Sequence, residues 1–166
     1  MKTKIGIVAC LFLFSFSANA QTTFKKVVSY SKGINDTRVM VLKSDNTMWW
    51  TANSKTWNAV PKKGLPETEI LDLEVYLKTG YMSMESRLVC LLKDNSIWWY
   101  ADGKSWEKIE SKGLPAGKSI SDVTVYVKNG GMSESTRMIV LLDDNSLWWF
   151  APGKEWERLS NDVASK

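Results

Sequence analysis

The stretch that decides the fold runs from Arg87 to Ile109 and reads RLVCLLKDNSIWWYADGKSWEKI. Residues 38–60 and 137–159 align with it without a gap, and nine positions are identical in all three copies. These positions include an arginine, an Asp-Asn pair, a tryptophan doublet and a third tryptophan, so all nine tryptophans of the chain are repeated residues. Repeats of about 50 residues are typical of propellers and other repeat architectures.

Each copy predicts four short strands. In the third copy, residues 123–127 alternate apolar with mixed residues, 138–142 are apolar on both faces, and 147–150 precede a fourth strand that starts at Trp156. Asp144-Asn145-Ser146 predicts the turn between the second and third strands, because Asp and Asn tolerate turn conformations. No segment has a helical period, so the sequence predicts an all-β chain.

The middle strands must be covered on both faces, because they are apolar on both. Blades of a β-propeller meet this condition, and a β-trefoil also fits three repeats and twelve strands. Propellers usually have about four to eight blades, so three blades are few, and a homodimer with six would resolve the difficulty. We favour three propeller-like blades over the trefoil and assign the repeats to about 24–72, 73–122 and 123–159.

The segment from Trp98 to Trp106, followed by Gly113-Leu114-Pro115, resembles the Asp-box (BNR-type) propeller repeat, and the strand order also resembles tectonin-type lectin repeats. The resemblance implies a propeller fold over about residues 24–159. The residues that define the box are replaced in every copy. Tryptophan stands in place of its serine and alanine in place of its aspartate, at Trp50, Trp99, Trp149, Ala52, Ala101 and Ala151. The resemblance therefore extends to the fold and not to a function of the box.

The first twenty residues predict a secretory signal peptide. Lys2 and Lys4 precede an apolar run over 5–14, and Ala18-Asn19-Ala20 supplies a small-x-small cleavage site. We expect cleavage after Ala20 and a secreted or periplasmic protein with one domain over 21–166. The apolar run is shorter than the roughly 20 residues of a spanning helix, so no membrane span is expected.

Cysteine usage predicts no internal disulfide. Cys10 loosely resembles a lipoprotein acylation site, but only five apolar residues precede it, and it leaves with the leader. Cys90 is then alone. Because Val41 and Val140 occupy the equivalent positions, we expect Cys90 to be a small buried hydrophobic residue.

The composition excludes several function classes. The chain has no histidine, which removes the Ser-His-Asp triad, the Cys-His dyad and imidazole metal sites. Without the leader, 20 basic residues face 18 acidic ones, and a net charge of +2 predicts no nucleic-acid partner. No pair of carboxylates in unlike surroundings suggests glycoside hydrolysis. We expect no enzyme, no metal and no cofactor.

Two sets of residues are candidate contacts. Arg38, Arg87 and Arg137 form a three-fold set that suits an anion or a glycan, although a repeated structural role would give the same pattern. The connections over 31–37, 79–86 and 129–136 differ most between copies, and variable loops on a rigid scaffold often carry function. Their adaptable side chains are Tyr81, Met82, Met84 and Met132.

The sequence thus predicts a non-enzymatic binding module. Its first interpretation is a protein-contact scaffold in the cell envelope, with an envelope or extracellular protein as partner. The alternative is a lectin-like protein that binds glycans, because sugars stack on aromatic rings and the chain repeats its aromatic residues. Against the lectin, tryptophans at repeated strand positions are more typical of core packing.

Overall fold

The computed structural model describes residues 22–31, 36–79, 84–130 and 133–159, so the predicted leader lies outside the described residues. The described chain forms twelve strands. Sheet 1 contains β1 (Phe24–Ser31), β2 (Thr37–Lys43), β3 (Met48–Thr51) and β4 (Asn58–Ala59). Sheet 2 contains β5 (Ile70–Thr79), β6 (Met84–Leu92), β7 (Ile97–Ala101) and β8 (Glu107–Ile109). Sheet 3 contains β9 (Ile120–Gly130), β10 (Ser133–Leu142), β11 (Leu147–Phe150) and β12 (Glu157–Arg158).

Each sheet is an antiparallel meander of four consecutive strands. This confirms the all-β prediction for the described residues and assigns one sheet to each repeat. A trefoil would pair strands of different repeats, whereas every ladder between the strands described joins strands of a single repeat. Sheets 2 and 3 begin at Ile70 and Ile120, slightly before the repeat starts assigned from sequence. Within the described ranges, no helix is long and apolar enough to cross a lipid bilayer.

The core consists of two apolar layers, one on each face of sheet 2. Leu88 and Cys90 of β6 belong to the layer between sheets 1 and 2, whereas Val89 and Leu91 belong to the layer between sheets 2 and 3. Neighbouring residues of a strand point to opposite faces. Strand β6 is therefore apolar on both sides because it is covered on both sides, as its sequence predicts.

The tryptophan doublet follows the same alternation. Trp98 packs against the layer shared with sheet 1 and Trp99 against the layer shared with sheet 3. Cys90 is fully buried, with its Sγ 3.7 Å from Sδ of Met48. Burial raises the pKa of the Cys90 thiol. This confirms that Cys90 is a small core residue.

The Asp-Asn turns are held by their own side chains. Asn95 has φ of +68°, in the left-handed region that asparagine tolerates. Oδ1 of Asp94 accepts hydrogen bonds from the amide (3.0 Å) and the hydroxyl (2.5 Å) of Ser96. The Ser96 hydroxyl in turn accepts a hydrogen bond from Nε1 of Trp98 at 2.9 Å. The turn therefore fixes the orientation of the first tryptophan of the doublet, and the other two copies repeat the arrangement.

Asparagines of the turns also join successive sheets. Oδ1 of Asn46 accepts a hydrogen bond from the amide of Ile70 at 3.2 Å, and Oδ1 of Asn95 accepts one from the amide of Ile120 at 2.6 Å. Each bond joins the turn between the second and third strands of one sheet to the first strand of the following sheet. The repeated asparagine thus sets the spacing between sheets.

The third tryptophan of a repeat covers the linker that precedes its sheet. Nε1 of Trp106 donates to the carbonyl of Pro61 at 2.8 Å, and Nε1 of Trp156 donates to the carbonyl of Glu110 at 2.9 Å. Gly64 lies so close that a Cβ there would meet the Trp106 carbonyl oxygen at 2.8 Å. The Gly-Leu-Pro linker therefore requires its glycine.

Ion pairs cross from sheet 1 to sheet 2. Lys26 of β1 lies 2.6 Å from a carboxylate oxygen of Asp72. Glu69 lies between Lys25 (2.8 Å) and Lys93 (2.9 Å). These two ammonium groups lower the pKa of Glu69 to about 2. Ion pairs as well as apolar packing therefore hold the beginnings of strands β1 and β5 together.

The candidate contact loops are shorter than the sequence predicts. Strand β9 continues to Gly130 and β10 begins at Ser133, so most of 129–136 is strand. Met84 begins β6 and pairs with Thr79. The sequence predicted a loop in the third copy because that segment is largely polar, but backbone groups in a hairpin satisfy one another whatever side chains they carry. Tyr81, Met82 and Met132 lie outside the described residues.

Candidate functional site

The three repeated arginines each lie over the second tryptophan of a doublet. Distances from the guanidinium carbon to the ring centroid are 4.6 Å for Arg38 and Trp50, 4.8 Å for Arg87 and Trp99, and 5.4 Å for Arg137 and Trp149. This is cation–π geometry. Arg87 and Arg137 both border the cleft between sheets 2 and 3, but Arg38 does not, so the structure does not bring all three together into one anion site.

A tyrosine completes each arginine–tryptophan pair. It stands directly opposite the arginine on the first strand of the sheet, as Tyr30 with Arg38, Tyr76 with Arg87 and Tyr126 with Arg137. The gapless repeat alignment missed these tyrosines because the hairpin segment from the tyrosine to the arginine is three residues shorter in sheet 1 than in sheets 2 and 3. An alignment that allows a gap before the arginine would have found them.

The arginines differ in what they bind. Nε and Nη2 of Arg38 donate to the two oxygens of Asp36 at 2.9 and 3.0 Å, and this carboxylate raises the pKa of Arg38. Arg137 lies over Trp149 of sheet 3, also borders the cleft between sheets 2 and 3, and donates from Nη1 to the carbonyl of Thr136 at 3.2 Å. Arg87 is buried, and its Nη2 donates to Glu85 at 2.7 Å.

Arg87 lines a cleft of about 700 Å³ between sheets 2 and 3. Tyr76 and Trp99 from sheet 2 and Phe150 from sheet 3 form its aromatic walls, and Thr136 adds a hydroxyl. Nε of Arg87 is buried and has no hydrogen-bond partner among the described residues. A buried donor without a partner is costly, by about 1–3 kcal/mol. The cleft therefore combines ring faces with an unused donor.

A second cleft of about 400 Å³ lies between the same two sheets, beside the Asp94–Ser96 turn. It extends to Leu114 and Trp156. The polar side chains of this turn are already bonded to one another or to the following sheet. In the described ranges, no group of three or more Cys, Asp or Glu residues could hold a metal ion. The cleft at Arg87 is thus the stronger candidate site.

Comparisons with known proteins identify the fold. No family model and no curated protein matches the chain. A fucose lectin from Kordia zhangzhouensis in complex with methyl-fucoside is similar, with a TM-score of 0.52 and 13% identity over 81% of this chain and 98% of that one. A variant of the Aleuria aurantia lectin in complex with Fucα1-6GlcNAc gives a TM-score of 0.51 and 14% identity. The fold is shared with lectins.

The two matches differ in length. Both cover 81% of this chain, but the match spans only 47% of the Aleuria lectin. The Kordia lectin is therefore matched along nearly its whole length and the Aleuria lectin along about half. At this level of identity the similarity concerns the three-sheet arrangement and not individual site residues.

Proposed function

We propose that the protein is a sugar-binding module and that the cleft between sheets 2 and 3 is its binding site. The observation that carries the proposal is the buried Nε of Arg87, which lies beside the Trp99 ring and has no partner among the described residues. A pyranose has a C–H face that stacks on an aromatic ring and hydroxyls that accept from a guanidinium. The cleft volume lies within the range of about 300–1,000 Å³ for small-molecule sites.

Fucosides are the first ligands to test, because both similar lectins are in complex with one. The module is non-enzymatic, in agreement with the lectins that share its fold. The predicted leader supports a location outside the cytoplasm, where glycans are displayed. The protein-contact scaffold depends mainly on Tyr81, Met82 and Met132, which lie outside the described ranges, so it stays a prediction.

The test is a calorimetric titration with methyl-fucoside of the wild type, Arg87→Lys and Arg38→Lys. Lysine keeps the charge but loses Nε and the planar stack on Trp99. A hydrogen bond to a charged group contributes about 1.5–3 kcal/mol, so Arg87→Lys should weaken binding at least about tenfold.

Arg38→Lys is the matched control, because Asp36 already occupies Nε and Nη2 of Arg38. It should leave the affinity within about twofold, or roughly 0.4 kcal/mol. Equal losses in both variants would place the sugar elsewhere. Absence of binding to fucosides and to a broad glycan array would overturn the proposed function.

A further inference from the structure

The two outer sheets each leave one face uncovered, and each uncovered face carries residues whose counterparts are buried inside the chain. Pairing register gives the equivalences. On sheet 1, Val27 is 60% exposed, whereas its counterparts Leu73 and Val123 are 0% and 1% exposed. On sheet 3, Leu147 is 38% exposed, and its counterparts Met48 and Ile97 are 1% and 3% exposed.

The third tryptophan shows the same contrast. Trp106 and Trp156 are each 3% exposed because each covers the linker that follows the preceding sheet, but no sheet precedes Trp57's sheet among the described residues and Trp57 is 40% exposed. Phe24, the counterpart of the buried Ile70, is exposed in the same way. Sheet 1 therefore presents the surface that elsewhere receives a preceding sheet.

Sheet 3 presents the matching surface. Asn145 is the counterpart of Asn46 and Asn95, which bind the first strand of the next sheet, and no sheet follows it in the described chain. Tyr126, opposite Arg137, is also exposed. The two outer faces are thus the two halves of one kind of interface.

We propose that a second copy of this chain docks head to tail, with sheet 3 of each copy on sheet 1 of the other. Asn145 would accept from the amide of the second copy's Phe24, as Asn46 accepts from Ile70. Head-to-tail contacts either close into rings or form filaments. Propellers usually have about four to eight blades. Each copy supplies three, and six is the multiple of three in that range, so we infer that two copies close the ring.

Charge supports this pairing. Lys26 of sheet 1 binds Asp72 of sheet 2 across the internal interface, and Asp122 is the counterpart of Asp72 on sheet 3. At the junction of two copies, Asp122 of one copy therefore faces Lys26 of the other. The contact joins opposite charges, whereas a contact between two sheets 3 would join like charges.

The docked copy would also complete a binding cleft, an inference that rests on the proposed function. Tyr126, Arg137 and Trp149 form the same half-site as Tyr76, Arg87 and Trp99, but no sheet of the described residues covers them within one chain. In the internal cleft the opposite wall includes Thr136 of the next sheet. The second copy's Thr37 occupies the equivalent position, so the site at Arg137 is incomplete without it.

The test is light scattering coupled to size exclusion, with circular dichroism to confirm folding. The wild type should have the mass of two chains. Val27→Glu and Leu147→Glu each place a charge on one outer face, and each should reduce the mass to that of one chain. Leu71→Glu is the control, because Leu71 is exposed on sheet 2, which has no outer face.

A wild type with the mass of one chain would overturn the proposal. So would dissociation by only one of the two face variants, because a symmetric face-to-face dimer uses one face alone. In the fucoside titration, Val27→Glu should bind one sugar fewer per chain than the wild type. A dimer that binds no sugar would leave the docking established and overturn the proposed function instead.

Discussion

Single side chains in this protein act as connectors between backbone segments. Ser96 receives the indole N–H of Trp98 while it donates to Asp94, so one hydroxyl links the turn to the ring. The carboxylate of Asp144 makes the equivalent bonds with Ser146, and these bonds lower the pKa of Asp144. The Asp-Asn-Ser/Thr sequence therefore does more than reverse the chain, because it also orients the core tryptophan.

Ser96→Ala should destabilise the protein by about 0.5–1.5 kcal/mol, because the half-buried indole N–H of Trp98 loses its acceptor. Ser96→Thr keeps the hydroxyl, as Thr47 does in sheet 1, and should restore most of the loss. Urea unfolding followed by tryptophan fluorescence measures both. Equal stability of Ser96→Ala and the wild type would show that the hydrogen bond from Trp98 to Ser96 contributes nothing to stability.

At the scale of elements, the linkers between sheets are the tightest contacts. Gly113 has φ of +99°, and a Cβ at this position would overlap the backbone of Trp156. Gly153 also has a positive φ (+79°), but a Cβ there would meet nothing within 4 Å. Both glycines thus have a positive φ that other residues rarely adopt, and they differ only in the space that a Cβ would have.

Gly153→Ala should cost only the left-handed conformation, about 1–2 kcal/mol. Gly113→Ala should cost more than that, because the linker must move away from Trp156 and lose the bond from Trp156 N to Lys112 O. Thermal unfolding of the two variants gives the comparison. A smaller loss for Gly113→Ala than for Gly153→Ala would contradict the close packing of the linker.

The elements also show what the sequence could predict. The second to fourth strands and the turns between them could be predicted from the repeat that begins at Arg38, Arg87 and Arg137. Its tryptophans and its Asp-Asn pair mark where each strand and each turn lies. The alignment missed the tyrosines because a hairpin segment of different length separates them from the arginines. The cleft at Arg87 could not be predicted, because its volume depends on how far apart two sheets lie, and no local pattern encodes that distance.

Across the whole molecule, the described residues form an open row of three sheets whose two outer faces differ. Packing explains most of the tryptophans, since six of the nine contact the core, namely Trp50, Trp98, Trp99, Trp106, Trp148 and Trp156. It does not explain the buried Arg87 donor or the exposed Val27 and Leu147, and these residues are where the sugar site and the second copy are proposed. The Asp-box resemblance stays a prediction about the fold.

A crystal structure of the protein with methyl-fucoside tests the sugar site most directly. We predict density for the sugar in the cleft between sheets 2 and 3, with its ring against Trp99 and a hydroxyl oxygen accepting from Nε of Arg87. A fucoside bound at another surface while this cleft holds only water would contradict the account. So would a protein group already bonded to Nε of Arg87.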